Sequence, residues 1–167
     1  PVVFDSAPAA FTLRNRACDA PSPLRAYVSR IYFVASCNRC GAGGDSLPTL
    51  KRLDLLNGGF VETALVEGVE ELRFEYGFDI DNDGSVDDGR AAAGAAGPTA
   101  QWENVVALKL HFVARSPDRA VGDTLGGAQT FVLGGTGTVT APEDGFVRRA
   151  YSTTVRLVNP SAAREIQ

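Results

Sequence analysis

The chain has 167 residues, 44% of them apolar and 22% charged, and a formal net charge of −4. Such a chain is expected to form one domain over 1–167 with a sizeable core, and its balance excludes both a disordered tail and a basic nucleic-acid surface. No apolar run is long enough to cross a bilayer, and no signal-peptide pattern opens the sequence. Its abrupt start at Pro1-Val-Val-Phe4 leads us to expect an upstream segment.

Residues 1–23 read as an irregular lead-in, broken by Pro1, Pro8, Pro21 and Pro23, with Phe4, Phe11 and Leu13 available to pin it to the body. The β-branched and aromatic run over 24–35 predicts a strand, and the glycines between Cys37 and Pro48 a loop. A second strand is expected over 49–56, then a turn at Asn57-Gly58-Gly59. Val61, Leu65, Val66 and Val69 are spaced more like a helix than a strand, so 60–70 is expected to be a short helical turn or irregular link.

In 72–78, Leu72, Phe74, Tyr76 and Phe78 alternate with Arg73 and Glu75, the period-two pattern of a half-buried strand. The Ala/Gly-rich stretch 90–100 reads as a flexible link. After Trp102, Val106, Leu108, Leu110 and Phe112 share a face opposite Lys109 and His111, predicting another strand. A loop is expected over 116–127, a hairpin of 129–133 and 136–140 around Gly134-Gly135, and a last strand over 146–159 with Tyr151, Thr153, Val155 and Leu157 on one side. Six or seven strands without a long amphipathic helix predict a mainly β fold, an antiparallel-sheet globular head with long loops.

The three cysteines leave an odd one. Cys37-Asn-Arg-Cys40 is a lone CxxC. With His111 the single histidine, the ligand count argues against zinc, and the motif does not open a helix as a redox CxxC should. A disulfide in an oxidising compartment is the simpler reading. Cys37–Cys40 is favoured over a bridge from Cys18, but the pairing stays open at this point.

The most pointed chemistry is Asp79-x-Asp81-x-Asp83-Gly84-Ser85-x-Asp87, running straight out of the alternating strand. Carboxylates two residues apart suit a hard cation that takes six to eight oxygens, and Gly84 offers the sharp turn that wraps chain around it. Asp79, Asp81, Asp83, the Ser85 carbonyl and Asp87 are the candidate calcium ligands. The twelfth position is Arg90 where an EF-hand has its bidentate Glu, so Asp88 or a distant residue would have to complete the shell. The same letters also suit an ion-free surface turn. A bound ion would be structural, ordering the loop.

His111 has no Ser or Cys partner in sequence and reads as a surface or rim histidine; Arg148, Arg149, Arg25, Arg30 and Arg39 read as solvated. With no GxGxxG, P-loop, GxSxG or HExxH motif and no nucleophile–base pair, no catalytic residue is expected and the chain does not read as an enzyme.

Several stretches in order resemble the PilW family of minor pilins of type IV pilus systems, over roughly 24–159. They are Arg30-Ile-Tyr-Phe-Val, Leu47-Pro-Thr-Leu-Lys-Arg-Leu-Asp-Leu, and Leu65-Val-Glu-Gly-Val-Glu-Glu-Leu-Arg-Phe-Glu-Tyr-Gly-Phe-Asp-Ile-Asp-Asn-Asp-Gly. Trp102-Glu-Asn-Val-Val-Ala-Leu-Lys-Leu and Arg148-Arg-Ala-Tyr-Ser-Thr-Thr-Val-Arg-Leu-Val-Asn complete the series.

The resemblance implies a non-catalytic fibre subunit, a β-rich head that in full-length form follows a long N-terminal helix. The prepilin cleavage motif and that helix are absent from these residues. The implied partners are other minor pilins, the major pilin and a large tip adhesin, with roles in pilus assembly, priming and adhesion. The implied location is the pilus or cell surface of a Gram-negative bacterium, facing the periplasm before assembly. Under that resemblance we further expect the glycine-rich region 122–145 and the calcium loop to shape a subunit contact. The alternatives are a minor pseudopilin of a type II secretion system and a calcium-dependent surface-binding or adhesion module.

Overall fold

The computed structural model describes residues 5–56, 58–91, 99–120 and 128–158. Nine strands lie among them in three antiparallel sheets. The first sheet is a meander of β1 (Arg30–Ala35), β2 (Thr49–Leu56) and β3 (Gly59–Glu67). The central sheet contains β4 (Val69–Phe78), β5 (Asp88–Ala91), β6 (Val105–Arg119) and β9 (Phe146–Arg156), in the order β5-β4-β6-β9. The pair β7 (Gln129–Val132) and β8 (Thr138–Ala141) forms a separate hairpin. The mainly β, antiparallel architecture is the one the alternation predicted. Among the described residues, no helix is long and apolar enough to cross a membrane.

A single residue separates the first sheet from the second. Gly68, at φ +83°, links β3 to β4; its N–H donates to the Pro48 carbonyl at 2.6 Å, and its carbonyl accepts from Arg115 N–H at 2.8 Å. A Cβ there would meet the Arg115 carbonyl oxygen at 2.7 Å, so both the left-handed backbone and the close approach call for glycine. Val69 and Phe78 on β4, Val105, Val106 and Val113 on β6, and Leu133 and Ala141 from the hairpin region are buried. The core therefore sits around the paired strands β4 and β6.

Several expectations need correction. Residues 60–70 are not a helical turn: β3 pairs along β2 and β4 starts at Val69. All of β3 is exposed, so its sequence carries no inside–outside alternation and the two-residue period is missing. The strand expected from 24 begins at Arg30, opposite Asp54 near the end of β2; Leu24, Tyr27 and Val28 lie before it and are exposed. Residues 116–119 extend β6 through a register shift between Arg115 and Arg119 rather than opening a loop. The final strand ends at Arg156. β5 was not anticipated, and it occupies 88–91 where a flexible link was expected to start. The remaining links at 92–98 and 121–127, together with Asn57 and residues 1–4, lie outside the described residues. Within the lead-in, Phe11 and Leu13 are half-buried.

His111 and Arg148 are also corrected, because both are buried, at 4% and 6% exposure. His111 Nε2 lies 3.2 Å from Glu75 Oε2, and Lys109 Nζ lies 3.7 Å from the same oxygen. Burial pushes the Glu75 carboxyl up. Contact with His111, the Gly135 N–H and Lys109 outweighs this and holds it below its ordinary range. The Gly134–Thr136 turn is thereby seated on the central sheet.

Arg148 donates from Nε and Nη2 to Glu70 at 2.6 and 3.0 Å, and from Nη1 and Nη2 to Asp144 at 2.6 and 2.7 Å. These two forks clamp β9 to the start of β4 and to the β8–β9 turn. Hydrogen bonding from Arg148 lowers the Asp144 pKa from 3.8 to about 2. The Phe146 ring lies beneath Arg115, whose guanidinium carbon is 4.2 Å from its centroid. Period-two reading missed both buried polar groups: β6 buries residues on both faces, and Arg148 is the one buried residue of an otherwise largely exposed β9.

Candidate metal centre

The acidic loop, 79–87, leaves the end of β4 and returns through β5. It closes by an Asp87 N–H to Phe78 carbonyl bond of 2.9 Å, after which Asp88 pairs with Phe78. The opposite wall is the 3₁₀ turn Thr99–Asn104, whose Asn104 carbonyl accepts from Asp79 N–H at 2.9 Å. Trp102 in that turn meets Tyr76 of β4 edge to face, with centroids 4.9 Å apart. The loop thus joins the ends of β4, β5 and β6. Val86 folds back onto β4, where a Cβ on Gly77 would lie 2.8 Å from a Val86 methyl and 3.2 Å from Ala107 Cβ.

Within the loop the backbone turns sharply at Asn82, φ +65°, and Gly84, φ +87°, the position at which the sequence calls for a turn. Asp79 is fully buried. Its two oxygens accept from Asp83 N–H at 3.2 Å and Gly84 N–H at 3.0 Å. Asp87 Oδ2 accepts from Ile80 N–H at 2.7 Å and Asp81 N–H at 3.3 Å. Asp81 Oδ1 accepts from Asp83 N–H at 3.2 Å. One carboxylate oxygen from each of Asp79, Asp81 and Asp87 lies within 4.8 Å of the others. Asp81 and Asp87 are exposed, so this triad opens to solvent above a buried base.

Of the five residues singled out in the sequence, these three converge. Asp83 Oδ1 instead accepts from Ser85 N–H at 2.7 Å, and Ser85 is exposed on the outer turn. An open groove beside the loop is lined by Gly84, Ser85, Val86, Val106, Ala107 and Arg156. Three carboxylate oxygens at this spacing form an acceptor set suited to a hard divalent cation, and the backbone donors fix their directions. The sequence did not reveal the Thr99–Asn104 turn as part of the site; the Asn104–Asp79 bond joins residues 25 positions apart with no pattern between them.

Of the sulfur groups, Cys37 and Cys40 form a disulfide and Cys18 is a free, exposed thiol.

A family model described as type IV pilus-assembly protein W matches residues 31–159, from β1 past the end of β9. No curated protein and no solved structure matches the chain.

Proposed function

This chain belongs to the PilW family of type IV pilus-assembly proteins, and on that premise we propose that it is a non-catalytic minor pilin whose β-rich head enters a priming or tip complex. Family membership implies a role in type IV pilus assembly and a place at the cell envelope or pilus. The partners proposed for the head are other minor pilins, the major pilin and a tip adhesin, met on the periplasmic side before assembly.

The observation that carries the subunit reading is a pair of open strand edges. Among the described residues, β3 and β9 each end a sheet, and Phe60, Val61, Val66, Val147, Tyr151 and Val155 are exposed along them. Open apolar edges are what an added strand or neighbouring subunit covers. The test is a strain lacking the chain: surface pili should fall sharply and return with the wild-type gene. Unchanged piliation would overturn the reading.

The acidic loop in this reading is a structural calcium site. Asp79, Asp81 and Asp87 would supply the converging carboxylates, and Asp83 and the Ser85 carbonyl would join them, with water filling the remaining positions. Supporting this is the mutual repulsion of three carboxylates, which a divalent cation relieves. Calcium at ten times its Kd would raise stability by about 1.4 kcal/mol, since it binds the folded loop alone. Thermal melts with calcium and then with chelator should therefore differ in midpoint, and Asp81→Ala should erase the difference. Equal midpoints for the wild type would leave the loop an ion-free turn and leave the pilus reading standing.

A further inference from the structure

The Cys37–Cys40 disulfide lies beside a charge that a simple staple does not require. Lys51 on β2 is almost completely buried, its side chain 3% exposed. Its ammonium reaches Glu62 Oε1 at 2.6 Å and Cys40 Sγ at 3.5 Å. Burying an ammonium is costly, and an apolar side chain of similar volume would serve a purely structural bridge as well or better. The bridge itself is accessible, with Cys40 exposed and Cys37 half-buried. Its loop is held independently of the sulfurs: Asp45 accepts N–H bonds from Asn38, Arg39 and Leu47 at 2.7, 2.9 and 3.1 Å. Asn38 also donates to Glu67 on β3 at 2.5 Å. Opening the bridge would therefore leave the two sulfurs near each other and near Lys51.

We propose that Cys37–Cys40 is an exchange-active disulfide that accepts electrons from a thiol reductant, with Lys51 positioned to hold Cys40 as the leaving thiolate. The incoming thiolate forms a bond to Cys37 Sγ, the Cys37–Cys40 bond breaks, and its electron pair goes to Cys40 Sγ beside the Lys51 ammonium. A second thiolate then attacks the partner sulfur of the mixed disulfide and releases Cys37. Two thiols become one disulfide, and the protein takes up two electrons and two protons. A thiolate next to a cation leaves more readily and is weighted in the reduced state. Lys51 is a positioning residue here, and Glu62 opposes it by neutralising part of its charge.

The test equilibrates the intact chain in glutathione redox buffers after Cys18 has been alkylated in the oxidised protein. The reduced fraction of Cys37–Cys40 is then read by mass. Lys51→Met should lower the reduced-to-oxidised ratio about tenfold at a given buffer, or about 30 mV, the effect of about one pKa unit in the Cys40 thiolate. Glu62→Gln should move the ratio the other way, and Lys51→Arg should restore it. In the reduced wild type, Cys40 should alkylate at lower pH than Cys37. Glu62 is half exposed on an edge strand, so its variant decides the matter even where Lys51→Met fails to fold. A midpoint unmoved by Glu62→Gln, or moved in the same direction by both variants, would overturn the proposal.

Discussion

The Arg148 clamp makes a quantitative prediction about acid stability. Asp144 titrates at about 2 in the folded protein against 3.8 ordinarily, because Arg148 hydrogen-bonds its carboxylate. A depressed folded pKa contributes stability that is present above the unfolded value and is lost as pH falls through the folded one. Discounted for solvent screening of this partly exposed carboxylate, the difference is worth about 1–2 kcal/mol at pH 7, roughly half of that at pH 3, and little below pH 2. Asp144→Asn isolates this contribution, because the amide resembles the protonated acid and every other carboxylate titrates alike in both proteins. Urea unfolding of the two proteins at pH 7, 5, 4 and 3 gives the difference directly. It should be flat from pH 7 to 5 and close towards pH 3. A difference that stays constant to pH 3, or is under about 0.5 kcal/mol at pH 7, would refute the clamp as an electrostatic device.

Gly68→Ala should cost about 3 kcal/mol in the same assay, combining left-handed backbone strain with a contact against the Arg115 carbonyl. Gly77→Ala should cost less, about 1–2 kcal/mol, because exposed Val86 can shift, and it should weaken any calcium-dependent rise in the melting midpoint. Trp102 is the single tryptophan and sits on the turn that binds Asp79, so calcium titration should change its fluorescence with the Kd found from the melts. Val66→Lys on β3 and Val155→Lys on β9, both at exposed positions, should leave stability within about 0.5 kcal/mol yet reduce piliation in a complemented strain. Normal piliation in both would remove these edges from the assembly surface.

Legibility followed burial. The run 72–78 is a strand as its alternation predicts: it pairs with β6 along its length and with β5 from Glu75 to Phe78, and Phe78 with the half-buried Tyr76 packs against Val105. The two halves of the 129–141 hairpin were found from the Gly134-Gly135 signal between them. β3 failed for the opposite reason: with both faces exposed, Phe60, Val61, Leu65 and Val66 follow no burial period. Asp88-Gly-Arg-Ala91 has no strand composition at all and is a strand because β4 offers an edge beside it. In the acidic loop, spacing alone singled out Asp79, Asp81 and Asp87, whose carboxylates one short turn brings together. Spacing did not show that Asp83 turns onto Ser85, nor that the loop's far wall comes from residues 99–104. Arg148 and His111 were misread because their partners, Glu70, Asp144 and Glu75, lie on other strands or turns, where strand periodicity carries no information.

The position of the acidic loop decides what ordering it would affect. A loop hung from one strand end would transmit little, but this one is bonded on three sides. Asp79 is tied to the Asn104 carbonyl just before β6, Asp87 to the last carbonyl of β4, and Asp88 is the first residue of β5. β6 is in turn the strand that carries β9, and β9 is an open edge of the central sheet. Tightening the loop therefore favours the paired arrangement of β5, β4 and β6 at one end of the sheet. The Arg148 forks fix the far end of β9 to the start of β4. β9 is held through different chemistry at its two ends, one sensitive to divalent cations on the proposed reading and the other to acid below about pH 4. Loss of either should loosen that edge before the core around Val106 and Val113 opens, so amides of β9 should exchange earlier than those of β4 and β6 in acid or chelator.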